Sequence, residues 1–156
     1  MNQWQNNLNQ INTPCYLVDE NKLLNNVNVL KQIKKSTNCK IILALKGYST
    51  FSTFSLLKPI LDGVTASSIY EARLGYEEFN KKVHGLTVAL KDTECNSYSQ
   101  LCTHLTLNSI NQLKIFKLNA NNKPSLGLRI NPKVSTVKKT IYNPCAPYSR
   151  LGIPIN

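Results

Sequence analysis

The stretch Lys40-Ile-Ile-Leu-Ala-Leu-Lys-Gly47 decides the fold class of this 156-residue chain. Its centre, Ile41 to Leu45, contains no polar residue, which is typical of a strand covered on both faces in a parallel sheet. Lys46 closes the predicted strand and is followed at once by a glycine. Side chains alternate along a strand, so small Ala44 lies beneath Lys46 on the same face and leaves room for a flat ligand.

Outward from this stretch, strand-like runs alternate with amphipathic, helix-like segments. The other predicted strands are Thr13–Val18, Val64–Ser68, Val83–Leu90, Leu105–Leu107 and Leu126–Ile130. The predicted helices contain Leu23–Ile33 (capped by Asp19 or Asn21), Phe51–Leu61, Ile69–Phe79, a short segment after Asp92, and Ser109–Leu118. One face of the Ile69–Phe79 helix is predicted to carry Ile69, Ala72, Tyr76 and Phe79. Repeated β–α units predict an α/β fold with a parallel sheet and right-handed crossovers. The proline-rich stretch from Asn131 to the C-terminus is predicted to be a long loop.

Composition excludes several classes of protein. The net charge is +11, but the lysines are scattered or paired, so we expect no nucleic-acid partner; biased base composition of the source genome explains the charge equally well. Five cysteines without a CxxC pair predict neither a zinc site nor a disulfide framework. No apolar run is long enough to span a membrane, and the polar N-terminus resembles no signal peptide, so we expect a cytoplasmic protein.

Lys46 is the first candidate for chemistry, because reactive groups in parallel α/β folds gather at the carboxyl ends of strands. Burial at a strand end would lower the pKa of its amine, as an imine-forming lysine requires. An ordinary lysine leaving the sheet edge is the alternative. Arg129 shares a strand face with Gly127, and a buried arginine needs an anion or a strong acceptor. A structural ion pair is the alternative there.

Two further groups of residues allow both a functional and a structural interpretation. Ser68 and Glu71 stand where a strand meets the next helix, and they fit either an active site or an ordinary helix cap. His84 and His104 lie near predicted strand beginnings, away from the expected active end of the sheet. We therefore expect both histidines to be structural.

Several segments, taken together and in order, carry a family resemblance. They are Thr13-Pro-Cys-Tyr-Leu-Val-Asp19, Ala44-Leu-Lys-Gly-Tyr-Ser49, Thr65-Ala-Ser-Ser-Ile-Tyr-Glu-Ala-Arg-Leu-Gly-Tyr-Glu-Glu-Phe79, Leu107-Asn-Ser109, Gly127-Leu-Arg-Ile-Asn-Pro132, Tyr142-Asn-Pro-Cys-Ala-Pro147 and Ser149-Arg-Leu-Gly152. The chain thereby resembles the carboxynorspermidine (carboxyspermidine) decarboxylases, which are pyridoxal-phosphate enzymes of the alanine-racemase-like barrel class. Two positions depart from the family pattern: Gly47-Tyr48 replaces Ala-Phe, and Tyr148 stands where the family usually has glycine.

The resemblance implies roles for matching residues. Lys46 would hold pyridoxal 5'-phosphate as a Schiff base and take part in proton transfer, and Arg129 would lie near the cofactor's phenolic oxygen. Ser68 and Glu71 would belong to the cofactor-binding shell. Arg150 would be a substrate-binding position. The reaction would release CO2 from a carboxylated polyamine and give norspermidine or spermidine, with no metal involved.

The resemblance also implies an incomplete (β/α)8 barrel. A full barrel takes about 250 residues, and we expect about five barrel strands over 13–156, after a polar N-terminal extension at 1–12. The first strand would belong to a missing β-rich C-terminal domain, and 132–156 would form a loop-like tail. Barrel strands six to eight, the glycine-rich phosphate-binding loop and the acid facing the pyridine nitrogen would be missing.

The missing parts leave the present function of the chain open. We expect it to be inactive alone and not to hold the cofactor stably. Three interpretations remain: a gene fragment, half of a split enzyme with a complementary chain, or a non-catalytic paralogue that binds another decarboxylase chain. The family works as a homodimer, and the sequence does not choose between carboxynorspermidine and carboxyspermidine as the substrate.

Overall fold

A five-stranded parallel sheet forms the centre of the protein in a computed structural model that describes residues 10–122 and 124–155. Its strands are β1 (Ile42–Ala44), β2 (Gly63–Ala66), β3 (Lys82–Thr87), β4 (His104–Leu107) and β5 (Ser125–Leu128). They lie side by side in chain order. A doubly wound sheet reverses its strand order, whereas a (β/α) barrel does not, so this sheet is an arc of a barrel. The prediction of about five barrel strands is confirmed.

Helix α1 (Glu20–Thr37) precedes the first strand, and four further helices connect successive strands. They are α2 (Phe54–Leu57), α3 (Ile69–Leu74), α4 (Cys95–Leu101) and α5 (Ile110–Asn119). Single turns of 3-10 helix at Phe51–Thr53 and Asp92–Glu94 lead into α2 and α4, and another lies at Thr140–Tyr142. The helix starts follow sequence signals: the side chains of Asp19 and Ser109 cap α1 and α5 by accepting hydrogen bonds from backbone N–H groups.

The two faces of the sheet have different environments. The covered face packs against all five helices, and its core side chains include Leu45, Val64, Val83, Leu105 and Leu107. The opposite surface of the sheet is here called the open face. None of its residues in this set is fully buried: Ile42, Ala44, Thr65, His84, Leu86, His104, Thr106 and Gly127. Ile42 is 38% exposed. The expectation that β1 is covered on both faces is therefore wrong, because a barrel arc buries its inner face only where strands from the opposite side oppose it.

Helix α3 continues into a π-helical segment, Gly75–Phe79, and this changes which residues face the core. The wider turn shifts the helical phase, so Phe79 is buried while Tyr76 is 54% exposed. The prediction that Tyr76 shares the buried face is wrong for this reason. Gly75 packs so closely that a Cβ there would lie 2.5 Å from a methyl group of Val64.

The N-terminal segment differs from its prediction. Residues 13–18 pair with no strand in the described part of the chain, and Tyr16 is fully exposed. A strand exists only where a neighbour completes its hydrogen-bond ladder, so the predicted strand Thr13–Val18 is not formed here. Most of the predicted polar extension, residues 1–9, lies outside the described residues.

The tail returns to the sheet edge. A second, two-stranded parallel sheet joins β6 (Ile130–Asn131) to β7 (Ile153–Pro154), with Ile130 opposite Ile153. The pairing of β6 with β7 therefore holds the two ends of the intervening loop side by side. Among the helices that are described, none is long and apolar enough to cross a bilayer.

Candidate functional site

The carboxyl ends of the five strands meet at one edge of the sheet, here called the carboxyl edge. Lys46 follows β1, Ser68 follows β2, Asn108 follows β4 and Arg129 follows β5. Lys46 and Ser68 were predicted to end their strands, whereas Arg129 was predicted within the strand Leu126–Ile130, which ends at Leu128 in the structure. The parallel arrangement brings all four residues to the same side of the molecule. The edge therefore gathers an amine, a hydroxyl, an amide and a guanidinium.

Lys46 occupies a tight turn just beyond β1. The carbonyl of Ala44 accepts hydrogen bonds from the N–H groups of Gly47 (2.9 Å) and Tyr48 (3.1 Å). Leu45 donates its N–H to the carbonyl of Thr65 at 3.1 Å and is buried, so the turn is held on both sides. The strand ends at Ala44 rather than at the lysine, because these bonds fold the chain away from the ladder. The Lys46 side chain is exposed, so the burial predicted for it is not found.

Ser68 and Glu71 form a helix cap at the start of α3. The Ser68 hydroxyl accepts a hydrogen bond from the Glu71 N–H at 3.2 Å. In return, the Glu71 carboxylate accepts one from the Ser67 N–H at 2.7 Å. This reciprocal pattern satisfies backbone donors that the first helical turn leaves without partners. Ser68 and Glu71 therefore form the helix cap that the sequence left open as an alternative to an active-site role. The Ser68 hydroxyl still has its own proton to donate to a second partner.

A cleft of about 250 Å³ lies beside this cap. It is bordered by Ser68, Thr87, Lys91 and Glu94, with Tyr98 at its base. Tyr98 is buried, and this burial raises the pKa of its phenol above the ordinary value. The phenol therefore stays neutral and able to donate a hydrogen bond at physiological pH.

Arg129 is held at the sheet edge by its backbone. Its N–H donates to the carbonyl of Leu107 at 2.9 Å, and its own carbonyl accepts from the N–H of Ile153 at 2.8 Å. The side chain is half-buried and, like Gly127 two residues earlier, belongs to the open face. Across the described residues, no carboxylate lies within ion-pair distance of its guanidinium. The structural ion pair left open by the sequence is therefore not found in this part of the chain.

The loop that carries Arg150 is docked on the end of β4 by Asn108. The Asn108 amide nitrogen donates to the Arg150 carbonyl at 2.7 Å, and its amide oxygen accepts from the Gly152 N–H at 2.7 Å. The Arg150 side chain is exposed. Asn108 was quoted only as part of a motif and given no role, and its position directly after a predicted strand was the one available signal.

Two positions near Arg150 have positive φ. Gly152 has φ +83°, and a Cβ there would lie 3.0 Å from the backbone of Ile130 and Asn131, so glycine permits both the turn and the close approach. Tyr148 has φ +67° and is fully exposed. Glycine, which the resemblance implies at this position, would suit the left-handed conformation better than tyrosine, and the tyrosine costs roughly 1 kcal/mol there.

The donor set can be compared with the chemistry of pyridoxal phosphate. The primary amine of Lys46 is a group that can condense with its aldehyde, and the Arg129 guanidinium can neutralise its phenolic oxygen. Within the described residues the glycines stand singly along the chain, so they form no glycine-rich loop for the phosphate group. The residues present therefore fit the aldehyde side of the cofactor.

Comparison with known proteins agrees with this geometry. No protein-family model matches the chain. The chain is 41% identical over 142 residues to a carboxynorspermidine/carboxyspermidine decarboxylase of Herminiimonas arsenicoxydans, a match that covers 91% of this chain and 39% of that protein. By sequence, this chain is a relative of the carboxynorspermidine/carboxyspermidine decarboxylases.

Two further decarboxylases extend the comparison. A carboxyaminopropylagmatine decarboxylase of Synechocystis sp. is 36% identical over 94% of this chain and 38% of its own length. The crystal structure of carboxynorspermidine decarboxylase from Campylobacter jejuni, complexed with norspermidine, superposes with a TM-score of 0.78 and 32% identity, covering 92% of this chain and 36% of that one. The chain thus spans about two fifths of the length of the curated relatives that it matches.

Proposed function

We propose that this chain supplies the lysine-bearing part of the active site of a pyridoxal-phosphate-dependent decarboxylase for carboxylated polyamines. The observation that carries the proposal is the position of Lys46. It stands directly after the first strand of a barrel arc, with its amine exposed at the carboxyl edge, in a chain 41% identical to a carboxynorspermidine/carboxyspermidine decarboxylase. The substrate class is carboxynorspermidine or carboxyspermidine, by similarity to the named relatives.

Each residue has a defined part in this proposal. When bound, pyridoxal phosphate supplies an electron sink that accepts the electron pair left when CO2 departs. The Lys46 amine would hold the cofactor, and once released it would carry a proton to the substrate's α-carbon. The Arg129 guanidinium would neutralise the cofactor's phenolic oxygen, and Ser68 and Glu71 hold the loop between β2 and α3 in place. Arg150 provides a positive charge for the departing or remaining carboxylate.

The rest of the proposal concerns assembly and location. Sheet strands β1 and β5 are at the two edges of the arc, and the open face is only partly covered. We propose that turnover requires further barrel strands, in the same or a complementary polypeptide, and that the assembled enzyme is a dimer. The five cysteines are all free thiols, which supports a reducing cytoplasm.

A second candidate function is non-catalytic binding to another decarboxylase chain. The exposed edges of the sheet favour it, because unpaired strand edges and half-covered apolar faces invite pairing with a partner. Exposed Ile42 on β1 is an example. One experiment separates the two candidates, since both predict a complex but only the first predicts turnover that depends on Lys46.

The experiment combines the chain with a polypeptide carrying the part of the Herminiimonas relative that it does not span. We expect the co-purified complex to release CO2 from carboxynorspermidine. Lys46→Arg should lower turnover by roughly a thousandfold or more, because the reactive amine is removed. Lys117→Arg, an equally conservative change at an exposed lysine of α5, should leave turnover unchanged.

A chemical readout accompanies the kinetics. Borohydride treatment with pyridoxal phosphate, followed by peptide mass mapping, should place the reduced cofactor on Lys46 of the complex. The isolated chain should show no stable visible absorbance from the cofactor. Turnover that survives Lys46→Arg would contradict the proposal. A stable complex without turnover or adduct would favour the non-catalytic candidate.

A further inference from the structure

Two side-chain amides stand in series at the carboxyl edge and connect two loops. The Asn108 amide holds the loop that carries Arg150, through the Arg150 carbonyl and the Gly152 N–H. Asn108 is held in turn by Gln112 in the first turn of α5, whose amide oxygen accepts a hydrogen bond from the Asn108 N–H at 2.7 Å. The Gln112 amide nitrogen donates to the Val88 carbonyl at 2.9 Å. The loop after β3 is therefore connected to the Arg150 loop through Gln112 and Asn108.

The orientation of both amides is defined by their partners. A backbone N–H can only donate and a backbone carbonyl can only accept, so each amide oxygen faces an N–H and each amide nitrogen faces a carbonyl. Asn108 and Gln112 are both half-buried. A carboxylate of the same shape at either position would keep the accepted bond and lose the donated one.

Gln112 occupies a helix-capping position, and a comparison with α3 shows what its amide adds. In α3 the Glu71 carboxylate accepts from the Ser67 N–H at 2.7 Å, as the Gln112 oxygen accepts from the Asn108 N–H. For capping alone a carboxylate is the better group, because the amino end of a helix carries a partial positive charge. Glutamine gives up this advantage and gains an N–H donor, and that donor is used on Val88.

The bond to Val88 fixes the exits of two neighbouring strands relative to each other. The last register pair of β3 and β4 is Thr87 with Leu107. Val88 and Asn108 are the next residues on the two strands, where the ladder has ended. Gln112 contacts both of them, one through each end of its amide. The side chain thus continues the connection between the strands by one step beyond the sheet.

We propose that Gln112 is a positioning residue for Arg150. It fixes the backbone from which the Asn108 side chain reaches the Arg150 carbonyl, 42 residues further along the chain. This inference rests on the proposed role of Arg150 as the positive charge that takes the substrate's carboxylate. Every contact in it joins elements of this chain, and none depends on what covers the open face.

The first test is amide hydrogen exchange in the full chain. Gln112→Met keeps the length of the side chain and removes both hydrogen bonds, so the Gly152 amide should exchange roughly fivefold faster. Gln112→Glu keeps the bond to Asn108 and the helix cap but sets a carboxylate against the Val88 carbonyl, so it should also speed exchange at Gly152. Gln32→Met, a matched change at an exposed position of α1, should leave exchange at Gly152 unchanged.

The second test is kinetic and uses the complex with the part of the Herminiimonas relative that this chain does not span. Gln112→Met should lower kcat/KM for carboxynorspermidine by roughly fivefold to tenfold, as expected when a charged contact is misplaced. Inhibition by norspermidine, which lacks the carboxylate, should change by less than about twofold. When Arg150→Gln is already present, adding Gln112→Met should have little further effect, because the two residues act on one contact.

The outcomes separate this inference from the proposed function. A native complex without turnover would contradict the proposed function. Unchanged exchange at Gly152 in Gln112→Met would contradict the inference by itself, since that measurement needs no turnover. If Gln112→Glu behaves like the native chain, Gln112 acts only as a helix cap. If the effects of Gln112→Met and Arg150→Gln multiply fully, or if norspermidine inhibition weakens equally, the residue supports the fold and does not position Arg150.

Discussion

The covered and open faces of the sheet are built from the same strands but do different things. On the covered face, Val64, Leu105 and Leu107 are fully buried against helices. On the open face, the neighbouring Thr65, His104 and Thr106 are only half-buried. The side chains that stabilise the fold are concentrated on one face. The lysines, the arginine and the histidines, which could bind ligands or react, belong to the other face or its edges. Alternation along a strand keeps these two tasks one residue apart.

The largest effect that would test this contrast comes from neighbouring residues of β4. Leu105→Ala removes a fully buried side chain, so we expect a loss of about 2–5 kcal/mol in the free energy of unfolding. Thr106→Ala, on the open face, should change it by about 0.5 kcal/mol or less. Urea unfolding followed by circular dichroism measures both values.

Equal losses at the two positions would break the contrast. They would mean that the open face is covered in solution, for instance by self-association. Repeating the unfolding at two protein concentrations would identify that case, because an associated state becomes more stable as the concentration rises.

An intermediate effect is expected at the carboxyl edge, where Asn108 joins the tail to the open-face side of β4. Asn108→Ala removes two hydrogen bonds of 2.7 Å, each worth about 1 kcal/mol. The main consequence is local: amide hydrogen exchange at Gly152 and Ile153 should speed up by roughly tenfold or more. Asn119→Ala, which removes an exposed side-chain bond on α5, should not change exchange in the tail. Unchanged protection of Gly152 would show that the β6–β7 pairing alone holds the loop.

The smallest effect concerns His84 and pH. Its pKa is lowered in the folded protein, mainly by burial, so the unfolded chain binds more protons as the pH falls below the ordinary value of 6.5. Stability should therefore be greatest above pH 6.5 and fall as the pH drops through that value toward the lower folded pKa. His84→Gln should flatten this part of the stability profile. If the variant has the same pH dependence of stability as the native chain, the His84 side chain is fully hydrated in the folded protein.

The sequence predicted the fold where local patterns are sufficient. The unbroken Ile41–Leu45 run located the first barrel strand, and Asp19 and Ser109 marked helix starts correctly. The errors have tertiary causes. Tyr76 turned outward because a π-helical segment changes the helical phase, and 13–18 formed no strand because no described segment pairs with it. Neither cause leaves a periodic signal in the sequence.

The candidate site was predictable in the same uneven way. Ordered motifs identified Lys46, Arg129 and Arg150 as candidates, and the places of Lys46 and Arg129 at the carboxyl edge follow from the strand pattern. The Asn108 clamp was not predictable, because its two partners lie 42 and 44 residues further along the chain.

The sequence alone determined the alternation of strands and helices, the caps and the lysine that follows the first strand, because these depend on residues close together in the chain. Only the tertiary structure decided that one sheet face stays open, that His84 stacks on His104, and that the loop with Arg150 docks on β4. Register between strands and contacts across long loops set these features, and both depend on the free energy of the whole fold rather than on any local pattern.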